Sequence, residues 1–88
     1  DSVPVVVASW KLREREIATV ALLTALGGRE SQLHYHMEAA LHVGITLQEL
    51  EEIVLQTVPY AGFPTAINAM NILAQLKGEE NLSEKESS

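Results

Sequence analysis

The stretch Leu12-Arg-Glu-Arg-Glu-Ile-Ala-Thr-Val-Ala-Leu-Leu-Thr-Ala-Leu26 decides the fold. It contains neither Gly nor Pro, and Gly27-Gly28 stops it, so the sequence predicts a helix over residues 12–26. Its first turn is charged, whereas Ile17, Ala18, Val20, Ala21, Leu22, Leu23, Ala25 and Leu26 go almost all the way round the cylinder. A helix apolar on every side is buried on every side. Three more short helices can hardly enclose it, so the pattern predicts that a second copy of the chain covers part of its surface.

The chain has 88 residues and a mass of 9.6 kDa, one domain's worth, which excludes an enzyme with separate cofactor and substrate lobes. A chain of this size buries only about 60–65% of the surface its unfolded form exposes, a thin stability margin that oligomer contacts would widen. There is no cysteine, so disulfides and thiol chemistry are excluded together. Thr19 and Thr24 interrupt the apolar run 17–26, and no stretch is long enough for a membrane span. The start, Asp1-Ser-Val-Pro-Val-Val-Val-Ala8, has no basic region and no Met. It reads as a processed or trimmed start, not an export signal, and a soluble, cytoplasmic protein is expected.

Six Lys and Arg against twelve Asp and Glu give a net charge of −6, which argues against nucleic acid or an anionic membrane as partner. One Trp, one Phe and two Tyr make no array on which bases would stack. Part of the charge lies in the last ten residues, since Glu79, Glu80, Glu84 and Glu86 face only Lys85 there.

Three more helices are expected. The second runs over about 30–43 and ends at Gly44, a natural left-handed capping position. Thr46-Leu-Gln-Glu49 has the form of a capping box and starts the third, which carries Leu47, Leu50, Ile53, Val54 and Val58 at helical spacing until Pro59 ends or kinks it. Gly62 makes a tight bend, Pro64 suits the first position of a helix, and the fourth helix covers 65–77, with Ala66, Ala69, Met70, Leu73 and Leu76 buried, and stops at Gly78. The expected organisation is an N-terminal extension over 1–11, an all-α bundle of about four helices over 12–78, and a disordered acidic tail over 79–88.

Helix two carries two distinct faces. Leu33, His36, Met37, Ala40 and Leu41 form one stripe, and His34, Glu38 and His42 form another. His36 therefore projects from an apolar stripe, desolvated and in need of a partner. It is either a satisfied core histidine or a functional group. His34, Glu38 and His42 span about 12 Å over two turns, too far for one zinc, and with no further ligand in view they read as a solvated face. No metal site is expected. Glu16 aligns with Thr19, Val20 and Leu23 along the apolar body of helix one, where it is either a candidate acid or base or the ion-pair partner of Arg13 or Arg15. Tyr60, beside the Gly62 bend, is either a pocket donor or a capping hydroxyl. The acidic run Glu49, Glu51 and Glu52 suits a helix N-terminus and is given no catalytic role.

Together with the 12–26 stretch, Leu33-His-Tyr-His-Met-Glu-Ala-Ala-Leu-His-Val-Gly-Ile-Thr46 and Leu55-Gln-Thr-Val-Pro-Tyr-Ala-Gly-Phe-Pro-Thr-Ala66 resemble the carboxymuconolactone decarboxylase family over roughly 12–77. The elements His-x-x-Ala-Ala-Leu-x-x-Gly and Tyr-Ala-Gly-x-Pro-x-Ala are the most specific. Related alkylhydroperoxidases place Cys-x-x-Cys ahead of the histidine, at the positions held here by Arg29 and Gln32, so thiol peroxidase activity does not carry over. The resemblance maps the family's histidine onto His36 and places Glu16 near an acidic position of the cysteine branch. Two departures stand out: the decarboxylases usually carry further helices ahead of this core, and Pro59 replaces a common helix former.

What the resemblance implies is cofactor-free loss of carbon dioxide from a small lactone acid, in a homo-oligomer that is a trimer or hexamer. His36 would act as acid or electrostatic stabiliser, with Glu16 and Tyr60 as helpers. An imidazole fits that role because it exchanges protons near neutral pH. The competing expectation is a non-catalytic oligomeric module that keeps the fold without a working site.

Overall fold

Each start and stop signal is met by a defined piece of backbone geometry. In the computed structural model, which describes the backbone of residues 9–87 and the side chains of residues 9–82, helix α1 spans Leu12–Leu26, α2 Glu30–His42, α3 Leu47–Ala61 and α4 Phe63–Ser87. Most of the N-terminal extension expected over 1–11 lies outside the described residues. At the start of α1 the Glu14 carboxylate accepts from the Lys11 N–H at 2.8 Å, and Gly27 ends the helix at φ 70°. That glycine is needed twice over, because a Cβ would sit in a left-handed backbone and 3.1 Å from Thr65 Cγ2 of α4.

The end of α2 is a Schellman turn. The Ile45 N–H reaches back to the Ala40 carbonyl at 3.0 Å and the Gly44 N–H to that of Leu41 at 3.1 Å, with Gly44 at φ 96°. The turn drives Ile45 into the core, where it is 2% exposed. The capping box of α3 forms as expected: Thr46 Oγ1 accepts from the Glu49 N–H and Glu49 Oε1 from the Thr46 N–H, both at 3.0 Å. Pro59 neither ends α3 nor stands outside it, since the helix continues through it to Ala61 and yields at Gly62.

α1 is the hub. It packs against α2, α3 and α4, while α4 also lies along α2 and α3. The core draws on every element: Val20 and Leu23 of α1, Met37 and Ala40 of α2, Leu50 and Val54 of α3, and Ala69, Leu73 and Leu76 of α4. Yet α1 is not buried all round. Leu22 is 59% and Leu26 53% exposed, so the three other helices leave one side of it open, as the sequence pattern requires.

The expected stop at Gly78 is corrected. α4 passes through Gly78 and continues to Ser87, with Ser88 outside the described residues. Gly78 is absent from the positive-φ glycines, so it sits in the helix. One glycine costs a helix only about 1 kcal/mol, and the residues after it, rich in Glu with a Leu and a Lys, are good helix formers.

Two buried threonines differ in one respect. Thr57 Oγ1 donates to the Val54 carbonyl at 2.7 Å, whereas Thr24 Oγ1, 1% exposed on α1, meets no partner among the described residues. An unpaired buried hydroxyl is a penalty that an isosteric methyl removes. Thr24→Val should therefore raise unfolding stability by about 1 kcal/mol and Thr57→Val should not. Urea denaturation of the two variants against the parent chain checks this, and a Thr24→Val variant less stable than the parent would contradict it.

Candidate active site

The charged first turns of α1 fasten it in two directions. Arg13 reaches across to α3, where Nη2 donates to Glu49 Oε2 and Nη1 to Oε1 at 3.4 Å. Glu16, three residues on, turns toward α2, and its Oε1 lies 3.1 Å from His36 Nδ1. Of the alternatives for Glu16, pairing with Arg13 or Arg15 is not what forms. Arg13 is engaged by Glu49, whose carboxyl is held down to about 2 by the Arg13 hydrogen bond first and the Thr46 N–H second.

Glu16 and His36 form a dyad between two helices. The Glu16 side chain is 19% exposed, that of His36 33%. An ionised carboxylate only accepts, so the ring donates from Nδ1, and Nε2 meets no partner among the described residues. The edge of the neighbouring Tyr35 ring meets the imidazole at 90° and 5.2 Å between centroids, which limits how the ring can turn. The stripe of α2 holds as read: Leu33, Met37 and Ala40 are buried and Leu41 is partly buried. Its histidine is less desolvated than the pattern requires, however. His36 is half-buried because it sits where the packed side of α2 meets the flank of α1, next to a carboxylate.

His34 is slightly more covered, its side chain 30% exposed, so burial does not separate the two histidines. Their partners do. His34 lies on the other side of α2, with Nδ1 3.4 Å from Glu38 and Nε2 3.8 Å from Glu79. Tyr60 stands apart from the dyad: it is 83% exposed on the last turn of α3 and makes no hydrogen bond or ring contact among the described residues. The Arg13–Glu49 clasp escaped the sequence reading, which counted Glu49 only as a cap. Arg29, at one of the positions where the peroxidase branch has cysteine, donates from Nη1 to the Gly27 carbonyl at 3.0 Å and closes the turn between α1 and α2.

The carboxymuconolactone decarboxylase family model matches residues 7–75. A 4-carboxymuconolactone decarboxylase of Acinetobacter baylyi is 39% identical over 62 residues, covering 70% of this chain and 46% of that protein. The chain thus spans about half the length of this relative. No solved structure matches it.

The clasp carries a pH signature. Because the Glu49 carboxyl is depressed from 4.5 to about 2, its contribution is complete above the ordinary glutamate range and is lost as pH falls from there toward 2. The difference in Tm between the parent chain and Glu49→Gln should be constant from pH 7 to about 5, then shrink and vanish near pH 2. Thermal melts by circular dichroism across this range check it. A gap that persists unchanged at pH 2 would show that the charge of Glu49 is not what holds α1 to α3.

Proposed function

Because the chain belongs to the carboxymuconolactone decarboxylase family, we propose that it is a cofactor-free decarboxylase of a small lactone or other carboxylic acid. The observation that carries this reading is the 3.1 Å contact between Glu16 and His36. When carbon dioxide leaves, the electron pair of the broken C–C bond passes into the unsaturated carbonyl system of the substrate. A proton must then be delivered to that anionic system. His36 delivers it from Nε2, and Glu16, by accepting from Nδ1, fixes the ring so that Nε2 faces the substrate. Water returns the proton afterwards, so the dyad is restored with no redox change. Tyr60, outside contact range of the dyad, keeps a place only as a group at the rim of a pocket that other parts of an assembly complete.

The same reading takes the chain as a homo-oligomer, a trimer or hexamer. Support comes from the open side of α1, with Leu22 and Leu26 exposed, and from Leu55, Phe63 and Ile67, which are each more than half exposed on α3 and α4. Isolated surface leucines are ordinary, and it is the number of large apolar groups exposed on so small a domain that supports an interface.

The test is carbon dioxide release from 4-carboxymuconolactone and a panel of small lactone acids. His36→Gln should lower kcat by about 10²–10⁴-fold, Glu16→Gln should lower it less, and His42→Gln, on the exposed side of α2, should leave it unchanged. A folded, assembled protein that releases none from any of them would be a non-catalytic module of the same fold. Sedimentation should find the chain larger than 9.6 kDa, and Leu22→Glu should shift it toward monomer.

A further inference from the structure

Away from the dyad, α2 and the far end of α4 bring three potential metal ligands together. His34, Glu38 and Glu79 each offer one donor atom, and these atoms all lie within 4.8 Å of one another. His34 and Glu38 are one helical turn apart on α2, the i, i+4 spacing that presents two side chains to one ion. The sequence lacks a visible third ligand because its pattern ends the last helix at Gly78. Continued through that glycine, α4 carries Glu79 to the pair.

The two contacts that His34 makes are longer than hydrogen bonds and run to different ring nitrogens. Nδ1 to Glu38 is 3.4 Å and Nε2 to Glu79 is 3.8 Å, and neither contact has the geometry of a hydrogen bond. Ligand atoms about 2.0–2.2 Å from a tetrahedral ion lie roughly 3.3–3.6 Å from one another. An ion takes a single ring nitrogen, so one carboxylate must swing by about 1 Å to share it. Both carboxylates are at least 47% exposed at the side chain, which leaves them free to make that movement. Among the described residues neither meets a Lys or Arg, so two anionic groups converge with only an imidazole between them. The surroundings leave room for the rest of a coordination shell: one solvent-open groove is lined by His34 with Asn68, Asn71 and Gln75, and the next by Glu38 and Glu79.

We propose that His34, Glu38 and Glu79 form a site for a divalent transition ion of the zinc class, with water completing the shell, that ties the end of α4 to α2. One nitrogen and two oxygens suit zinc or nickel rather than magnesium or calcium, which take oxygen alone. His34 and His36 are about 200° apart on the helix, so the ion is separate from the dyad. Its role is to hold the stretch of α4 just beyond Gly78, where Leu82 is 59% exposed, against the body of the fold.

The full chain, stripped with EDTA and dialysed, is titrated with zinc chloride by calorimetry and followed by thermal melting. One ion per chain is expected, with a rise in Tm from zinc and none from magnesium, because an ion that binds only the folded state stabilises it by mass action. His34→Gln and Glu79→Gln should each weaken binding by about tenfold or more, while His42→Gln binds as the parent does. Circular dichroism before titration shows that each variant is folded. Truncation after Gly78, which removes Glu79 but no α2 ligand, should lose the Tm response as Glu79→Gln does. The proposal is overturned if the parent chain shows neither heat nor Tm shift with zinc, if Glu79→Gln binds at full affinity, or if His42→Gln and not His34→Gln abolishes binding.

Discussion

The fold depends on keeping α1, a helix with almost no polar side, at the centre of three others that cannot fully enclose it. Val20 and Leu23 are buried there, and Leu22 and Leu26 are not. Apolar packing alone does not set the rotation of such a helix, because any of its faces would serve. Polar contacts in its N-terminal half are consistent with the rotation observed, where Arg13 takes Glu49 of α3 and Glu16 takes His36 of α2. Two partners on different helices, engaged from positions one turn apart, match one rotation and one axial position of α1. The dyad thus belongs to the device that orients the hub helix, and its two halves are brought together by the packing itself.

Much of this architecture is legible from local chemistry. Gly27, Gly44 and Gly62 each mark a helix end and each takes positive φ, and Thr46 with Glu49 forms the box that its spacing announces. These signals are read over three or four residues and need no tertiary information. The errors arise where one local signal competes with its context. Gly78 resembles the other stops, but no turn follows it, and neither Pro nor a loop sequence forces the chain out of the helix. Pro59 resembles a stop as well, yet α3 needs only two more residues to reach Gly62.

The site was half legible. Periodicity separated His36 from His34 by the face each occupies, and that separation stands. It did not say how deep either lies, since the flank of a neighbouring helix decides burial and the wheel of one helix holds no record of it. The partners were beyond reach for the same reason. Twenty residues separate Glu16 from His36 and thirty-six separate Arg13 from Glu49, so a reading of helix one alone offers Glu16 its nearest cations, Arg13 and Arg15. Only the packing of α1 on α3 removes Arg13 from the competition.

That redistribution of partners is what gives the dyad its chemical character. Had Arg13 stayed with Glu16, the carboxylate would have been neutralised by a guanidinium that never gives up its proton, and His36 would have lost its orienting acceptor. With Arg13 held by Glu49, the partner that Glu16 meets among the described residues is the imidazole of His36. The carboxylate then takes the Nδ1 side of the ring and leaves Nε2 for a further partner. The clasp to α3 therefore bears on the dyad without touching it, by withholding a permanent cation from Glu16, which among the described residues is the acidic group that meets His36.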